Sequence, residues 1–456
     1  MNQDIFRSYD IRGVYPTEIN AEASKQIAKA FLSRLSSKLN KPVEKLRIMV
    51  ARDIRHGSEP LVKAAIEIFL QYGVEVYDIG LVSINDFYFA TGKYKYDGGF
   101  MATASHNPPQ YAGCKLTTNN PEYTDSIQFI TGKQIASELE KINLPDTAGI
   151  KPGKLKTKEI SRDHLQHILS FVDLSKIKPL KIVVDSGGGM TSQLLPKIFA
   201  KLPGQFIHLF PELDPDFLKR PPNPLTKGAS RAIAEKIKQE RADFGVMFDA
   251  DGDRLFLLDE KGEFIRSDVT ILLLAKLLLE KNPGAGIVYN LVFSHAVPEL
   301  IKKWGGKAIR SEVGYINLSR HMHHEFGIMS GEVSGHFAFQ KNYYADSGFI
   351  AMLLAIQAIS EDGRKLSAIG QDFSLYYRTD EYNLEISDTA ASLEKVRQHY
   401  KDDIRDELDG ITVELADWWF NVRPSNTESL LRVTVEAKDK ESAEAHQQEV
   451  LAVIKN

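Results

Sequence analysis

Strand and helix patterns alternate along this chain, break off and begin again, and any fold must accommodate that restart. Residues 47–51 (RIMVA) read as a buried strand, and 60–71 carry apolar residues at helical spacing. Residues 74–79 and 98–102 give two further strand patterns with a helical stretch between them. Strand–helix–strand repetition predicts parallel pairing with crossover helices. The pattern resumes at 181–184 (KIVV), passes through Asp185-Ser186-Gly187-Gly188-Gly189, and predicts a helix over 191–202 and strands over 206–209 and 243–248. It resumes again with a helix at 269–279, a strand at 286–289, a helix at 296–303, a strand at 307–309 and a helix at 347–359. Three α/β units of roughly 100–150 residues follow from this spacing. The tail reads differently. Strand patterns at 382–386, 411–415 and 430–436 surround helices at 390–400 and 440–454, which predicts a small α+β domain. Linkers are predicted near 148–157, 259–263 and 361–365. No residue-level repeat accompanies the three-fold restart.

Composition excludes several function classes. The 456 residues carry 57 Lys+Arg against 61 Asp+Glu, a net charge of -4, so no broad basic field awaits nucleic acid or anionic lipid. The single cysteine, Cys114, permits no internal disulfide, and a reducing compartment is the default. The start, MNQDIFRSYDIRG, lacks the apolar core of a signal peptide. The most apolar run, 270–279, is short and holds Lys276, far below the roughly 20 residues that span a bilayer. A cytoplasmic location is expected.

The strongest chemical motif is Asp249-Ala250-Asp251-Gly252-Asp253-Arg254. Three alternating carboxylates on an extended loop can converge on one hard cation, leaving coordination positions open, as suits Mg²⁺ beside a phosphate. A calcium loop of the EF-hand type is the rival, with Glu260 at its twelfth position. Arg254 stands where that loop needs glycine, and both flanks read as strands rather than helices. Thr103-Ala104-Ser105-His106-Asn107-Pro108-Pro109 follows a strand and sets a hydroxyl nucleophile beside an imidazole. Lys115 lies shortly after, as a cation for a phosphate or a proton shuttle. Gly331-Glu332-Val333-Ser334-Gly335-His336 presents a carboxylate and a hydroxyl for sugar hydroxyls and an imidazole for proton transfer. Arg423-Pro424-Ser425-Asn426-Thr427-Glu428 has the composition of a phosphate cradle. Standing alone, the last two read as ordinary turns, Lys115 as a surface lysine, and the serine loop equally as a capped, proline-ended turn or as a nucleophile. Arg12, in the loop that runs from Phe6 through Tyr9 to Gly13, is a candidate for the reacting centre. The glycine run after Asp185 resembles a phosphate loop but lacks its lysine and spacing, so a structural turn is expected. His321, His323 and His324 do not line one helical face, and a solvated surface is expected there.

Taken in order and at this spacing, five motifs resemble the α-D-phosphohexomutase family, its phosphomannomutase/phosphoglucomutase branch: YDIRG (9–13), TASHNP (103–108), DADGDR (249–254), GEVSGH (331–336) and RPSNTE (423–428). Arg220-Pro221-Pro222-Asn223-Pro224 is similar to the family's segment ahead of the metal loop. The resemblance implies an α/β fold of four domains around a central cleft: three related mixed α/β sheet domains and a small C-terminal α+β domain. The expected bounds are 1–150 with the phosphoserine loop, 151–258 with the metal loop, 259–368 with the sugar loop and 369–456 with the phosphate loop.

It further implies Mg²⁺-dependent exchange of phosphate between O1 and O6 of a mannose or glucose phosphate through a hexose 1,6-bisphosphate. Ser105 is the implied phosphoserine, and Ser105, Asp249, Asp251 and Asp253 the implied metal ligands. Arg12, His106, Lys115, Arg254 and His336 are the implied electrostatic and acid–base groups. Tyr9, Glu332, Ser334, Arg423, Ser425, Asn426 and Thr427 are implied to bind substrate. Small sugar phosphates are the expected partners, without nucleic acid or membrane, for a monomer or weak homodimer. Three departures bear on the substrate. Ala112 and Cys114 replace the family's usual residues before Lys115. Asn290 and Val292 replace a frequent acid and cation, and Tyr315 a frequent histidine. A glucosamine or pentose phosphate mutase, and a phosphosugar-binding protein without turnover, are the competing expectations.

Overall fold

The computed structural model describes residues 2–119, 122–123, 125–425 and 430–455. The chain forms two compact units, residues 1–265 with 335–366, and residues 266–334 with 367–456.

The first unit holds two mixed sheets. In the first, Gly98–Ala102, Arg47–Arg52, Glu75–Leu81 and Lys154–Thr157 run parallel in that order. Tyr111–Asn119 and Ile11–Val14 extend the other side antiparallel, and Ile127–Ile130 also pairs with Tyr111–Asn119. RIMVA is a central strand because β-branched and apolar side chains fill both of its faces: residues 48–51 are all buried. Helix Ser58–Gln71 buries Leu61, Val62, Ala65, Ile68 and Phe69, a stripe at helical spacing. Phe31, Phe69 and Phe100 knit the outer helices to the sheet, with ring centroids 5.9–6.4 Å apart. In the second sheet, Gly204–Leu209, Leu180–Asp185 and Phe244–Phe248 are parallel. Phe244–Phe248 then turns back into Leu255–Leu258, paired in turn with Phe264–Ile265. The antiparallel pair Phe337–Phe339 and Ala345–Asp346 and the helix Gly348–Asp362 complete this unit.

The second unit carries a third set of parallel strands, Lys307–Ser311, Gly286–Asn290 and Gly327–Gly331. Its C-terminal part is antiparallel: Leu430–Ala437 and Trp418–Pro424 are central, and Thr389–His399 and Lys440–Lys455 are its helices. Three mixed α/β sheets and a small antiparallel α+β domain match the expected fold class.

Three local expectations change. The helix predicted over 191–202 is broken into Met190–Gln193 and Leu195–Phe199, because Pro196 cannot donate a backbone hydrogen bond and starts a new helix instead. Within the predicted linker at 148–157, Lys154–Thr157 forms an edge strand. Residues 259–263 form a hairpin turn, with the Asp259 carboxylate accepting from the amides of Lys261 and Glu263 at 2.9 Å.

Candidate functional site

Ser105 sits on the loop that leaves Gly98–Ala102 and returns as Tyr111–Asn119. Its φ of 51° is left-handed, a conformation that costs a non-glycine residue about 1–2 kcal/mol. The surroundings enforce it. The Ser105 amide donates to Thr103 Oγ1 at 3.0 Å. Arg55, 2% exposed, donates to the carbonyls of Ser105 at 2.5 Å, Asn107 at 2.6 Å, Pro108 at 2.9 Å and Tyr111 at 3.2 Å. Asp53 braces Arg55, accepting from its amide at 2.9 Å, and the Phe217 ring lies 5.2 Å from its guanidinium. Burial lowers the pKa of Arg55 against the pull of Asp53.

The acidic loop follows Phe244–Phe248. Gly252, at φ 84°, permits the turn, and the Asp249 carboxylate accepts from the amides of Gly252 at 3.1 Å and Arg254 at 3.2 Å. Neighbouring elements fix its backbone. Asn85 donates to the Gly252 carbonyl at 2.7 Å, and the Met190 amide to the Ala250 carbonyl at 2.8 Å. Asp249, Asp251 and Asp253 are buried, with ligating oxygens all within 4.8 Å of one another. Two like charges about 4 Å apart repel by about 4 kcal/mol at a typical protein dielectric. Burial, and then the charges of Asp251 and Asp253, push Asp249 well above the ordinary carboxylate range. Burial works the same way on Asp253, but Lys115 and His336 outweigh it and hold that acid well below the range.

These two loops meet. Ser105 Oγ donates to Asp251 Oδ1 at 3.0 Å and lies 3.3 Å from His106 Nδ1. Lys115 Nζ donates to Asp251 at 3.1 Å and Asp253 at 2.8 Å. Burial disfavours its charge, yet Asp251 and Asp253 raise its pKa well above the ordinary value, so it is a fixed cation here. Arg12 donates to Asp10 at 2.8 Å, the Ala104 carbonyl at 3.1 Å and Asn107 Oδ1. Arg254 Nη2 reaches His106 Nδ1 at 2.7 Å, and its Nε reaches His336 Nε2 at 3.3 Å. Burial, then the neighbouring Arg254, hold His106 neutral, well below its ordinary pKa.

Among the described residues, Asp249 Oδ2 and Asp253 Oδ1 accept no hydrogen bond; contacts at 3.4 Å come from Arg254 and His336 respectively. Three converging carboxylates with oxygens to spare, beside a serine hydroxyl, fit a small hard cation. Strands, rather than helices, flank the loop, which excludes the EF-hand reading.

The second unit holds its own part of the expected site. Glu332 accepts from the Gly314 amide at 2.7 Å and from Ser334 Oγ at 3.1 Å. Arg423, 3% exposed at the end of Trp418–Pro424, donates to Glu381 at 2.7 Å. The Ser425 amide donates to the Leu430 carbonyl at 2.9 Å. Asn426 and Thr427 lie outside the described residues. Asn290 is buried, and among the described residues neither side-chain amide atom is hydrogen-bonded. Tyr9, in the first unit, is half-buried on the loop leading into Ile11–Val14.

Sequence reasoning missed Arg55, Asn85 and Glu381. Each supports a loop through backbone carbonyls or a second charge, and RDIRH contains no signal that its Arg55 meets four carbonyls. Asp185 and the glycines after it form the expected structural turn: Asp185 accepts from the Gly187 amide at 2.7 Å and pairs with Arg220 at 3.0 Å. The histidine cluster is only partly as expected. His321 pairs with Glu312 at 2.9 Å and His324 is exposed, but His323 is buried, and burial pulls its pKa down to about 4. Cys114 is buried, and burial raises its thiol pKa far from reactivity. No described helix is long and apolar enough to cross a membrane.

Comparison with known proteins covers the whole chain. Models of phosphoglucomutase/phosphomannomutase alpha/beta/alpha domains I, II and III match residues 3–142, 162–262 and 266–376, and the C-terminal domain model matches 381–453. A phosphomannomutase of Methanocaldococcus jannaschii is 32% identical over 455 residues, covering 99% of this chain and 97% of the relative. Phosphohexose mutases of Xanthomonas campestris pv. campestris are 33% identical over 443 residues, 96% of each chain. The crystal structure of a phosphoglucomutase/phosphomannomutase family protein from Burkholderia thailandensis superposes with a TM-score of 0.87 at 26% identity, covering 100% of this chain and 98% of that one. Four domains matched in order, at full length and with the same architecture, place the chain in the phosphoglucomutase/phosphomannomutase family, as a phosphohexose mutase.

Proposed function

We propose that this enzyme interconverts the 1- and 6-phosphates of mannose or glucose through a phosphoserine at Ser105 and a hexose 1,6-bisphosphate. The observation that carries this reading is the seating of Ser105 Oγ 3.0 Å from Asp251, inside a buried acid triplet. Relatives named phosphomannomutase support mannose as substrate.

Ser105 Oγ gives its phosphoryl group to the free hydroxyl of a hexose monophosphate; the P–Oγ bond breaks as the new P–O bond forms. The hydroxyl proton leaves to a nearby base, for which His106 and His336 are the candidates. The bisphosphate turns end for end, and Ser105 Oγ takes the other phosphate while the sugar oxygen regains a proton. Mg²⁺, held by Asp249, Asp251, Asp253 and Ser105, would neutralise charge on the moving phosphoryl group. Arg12, Lys115 and Arg254 add fixed positive charge around the same oxygens. Glu332 and Ser334 bind sugar hydroxyls, and Tyr9 contributes to the substrate pocket. Arg423, Ser425, Asn426 and Thr427 hold the phosphate that is not reacting. The family expectations of a cytoplasmic enzyme, monomeric or weakly dimeric, with domains at 1–150, 151–258, 259–368 and 369–456, belong to the same proposal.

Ser105→Ala should lower mannose 1-phosphate to 6-phosphate turnover by at least about 10³-fold while leaving the fold intact. Intact mass of the wild-type enzyme should show one phosphate that the variant lacks. Full turnover by the variant would overturn the assignment.

A further inference from the structure

A cavity of about 580 Å³ opens in the first unit at the N-terminal ends of the central strands of the second sheet, the end opposite the acidic loop. Leu180 begins its strand there, and Ala242 and Asp243 precede the parallel neighbour Phe244–Phe248. The acidic loop starts at the far end of that neighbour, so the two sites are separated by a strand's length, about 17 Å. The helix Gly348–Asp362 spans the same gap. At Gly348 a Cβ would fall 2.6 Å from the Gly252 carbonyl, while Ile359, Ser360 and Gly363 line the cavity. Fifteen residues of helix reach about 22 Å.

The lining has a definite chemistry. Five cations face two acids, Asp243 and Glu260. Arg364 is engaged by Asp362 at 2.7 Å, and Asp243 accepts the Lys181 amide at 2.7 Å. Lys178, Lys238, Arg241 and Lys365 have no ion pair among the described residues. The cations could simply complement the C-terminal ends of helices Arg231–Glu240 and Gly348–Asp362. Those two ends amount to about one negative charge between them, which leaves a clear positive surplus. The floor is apolar: Ala242, Ile359 and Leu366 are at most 4% exposed. In the wall, Ser360 is 1% exposed and its hydroxyl has no hydrogen-bond partner among the described residues. Such a buried hydroxyl is costly until something accepts from it or donates to it.

We propose that this cavity is a second ligand site of the enzyme, for a small organic phosphate with an apolar body. The phosphate meets the Lys238 and Arg241 side chains at the rim, and the body rests on Ile359 and Leu366. The site shares no residue with the reaction loops.

The test is calorimetric titration of phenyl phosphate, and separately inorganic phosphate, into the Mg²⁺-loaded enzyme. Two binding events are expected for phenyl phosphate, and at this site it should bind about fivefold tighter than inorganic phosphate because of the apolar floor. Lys238→Ser with Arg241→Ser should weaken one event by at least about tenfold and leave mutase turnover without probe within about twofold. Superimposable isotherms for wild type and the double variant, or no binding to wild type, would overturn the proposal. Loss of all binding in Arg423→Ala, with none lost in the double variant, would do the same by assigning the probe to the catalytic site. The isotherms do not depend on turnover, so failure of the mutase reading would be seen separately.

Discussion

Two neighbouring parallel strands of one sheet end in similar words and different chemistry. Leu180–Asp185 runs into Asp-Ser-Gly-Gly-Gly, and Phe244–Phe248 runs into Asp-Ala-Asp-Gly-Asp. Both loops use a positive-φ glycine, Gly187 or Gly252, whose amide donates to the aspartate ahead of it. At the first, Arg220 closes the charge: its Nε donates to Asp185, and its other nitrogens to the carbonyls of Pro221 and Phe248. At the second, three acids have only Lys115 and Arg254 as close lysine or arginine cations among the described residues, and Arg254 is shared with His106 of the serine loop. Among the described residues a buried oxygen without a hydrogen bond occurs at both loops, on Asp185 as on Asp249 and Asp253, so it is the count of cations per acid that differs. Burial raises the pKa of Asp185 despite Arg220, and raises Asp249 much further because Asp251 and Asp253 add like charge. A buried acid is structural where its own cation is supplied in full; it is a site where the supply falls short.

The largest expected effect breaks the open loop. Asp251→Asn should lower turnover by about 10²–10³-fold, since it removes both a proposed metal ligand and the partner of Ser105, with a far smaller change in stability; steady-state kinetics beside a denaturation curve decide it. Breaking the closed loop should do the reverse. Arg220→Ala leaves Asp185 buried and unpaired and should cost about 3–5 kcal/mol in chemical denaturation, with less loss of turnover per folded molecule than Asp251→Asn shows.

A third aspartate gives the fully supplied limit. Asp268 is bonded by Arg378 at 2.9 Å and by the Ser294 amide at 2.7 Å, and Arg266 lies at 3.2 Å. Burial opposes its charge, but Arg378 and Arg266 win and pull its pKa from 3.8 to about 2. A depressed acid stabilises the fold above its unfolded value and loses that contribution as pH falls, here between about 4 and 2. Asp268→Asn should therefore cost about 2 kcal/mol at pH 7 and flatten stability against pH across that window. The smallest effect compares the glycines. Gly187→Ala and Gly252→Ala should each cost about 1–2 kcal/mol from the left-handed backbone, with added crowding against Arg220 and Thr191 respectively. Only the second should also reduce turnover. Equal turnover losses in both would erase the distinction between the loops.

Much of this was legible in the residues. Alternation of period-two and helical patterns fixes where strands run, because apolar side chains must be buried whichever partners cover them. DADGDR was legible because three like charges within five residues are hard to bury without a cation. The broken helix at Pro196 could have been foreseen from its missing amide hydrogen. Arg55 could not. An arginine is mostly a surface residue, and what makes this one a clamp is four carbonyls arriving from a loop fifty residues on. His323 likewise became buried through packing that its spacing did not encode.

The sequence alone determined the strand and helix types, the acid triplet and the serine loop, since these depend on side-chain chemistry within a few residues. Tertiary structure alone decided which aspartate would own its cation, how Ser105 would be held in a strained backbone, and where positive charge would collect around it. Those outcomes depend on distances between chain segments far apart in sequence. Electrostatic and hydrogen-bond energies change by several kcal/mol over a few ångströms, a scale that no local pattern records.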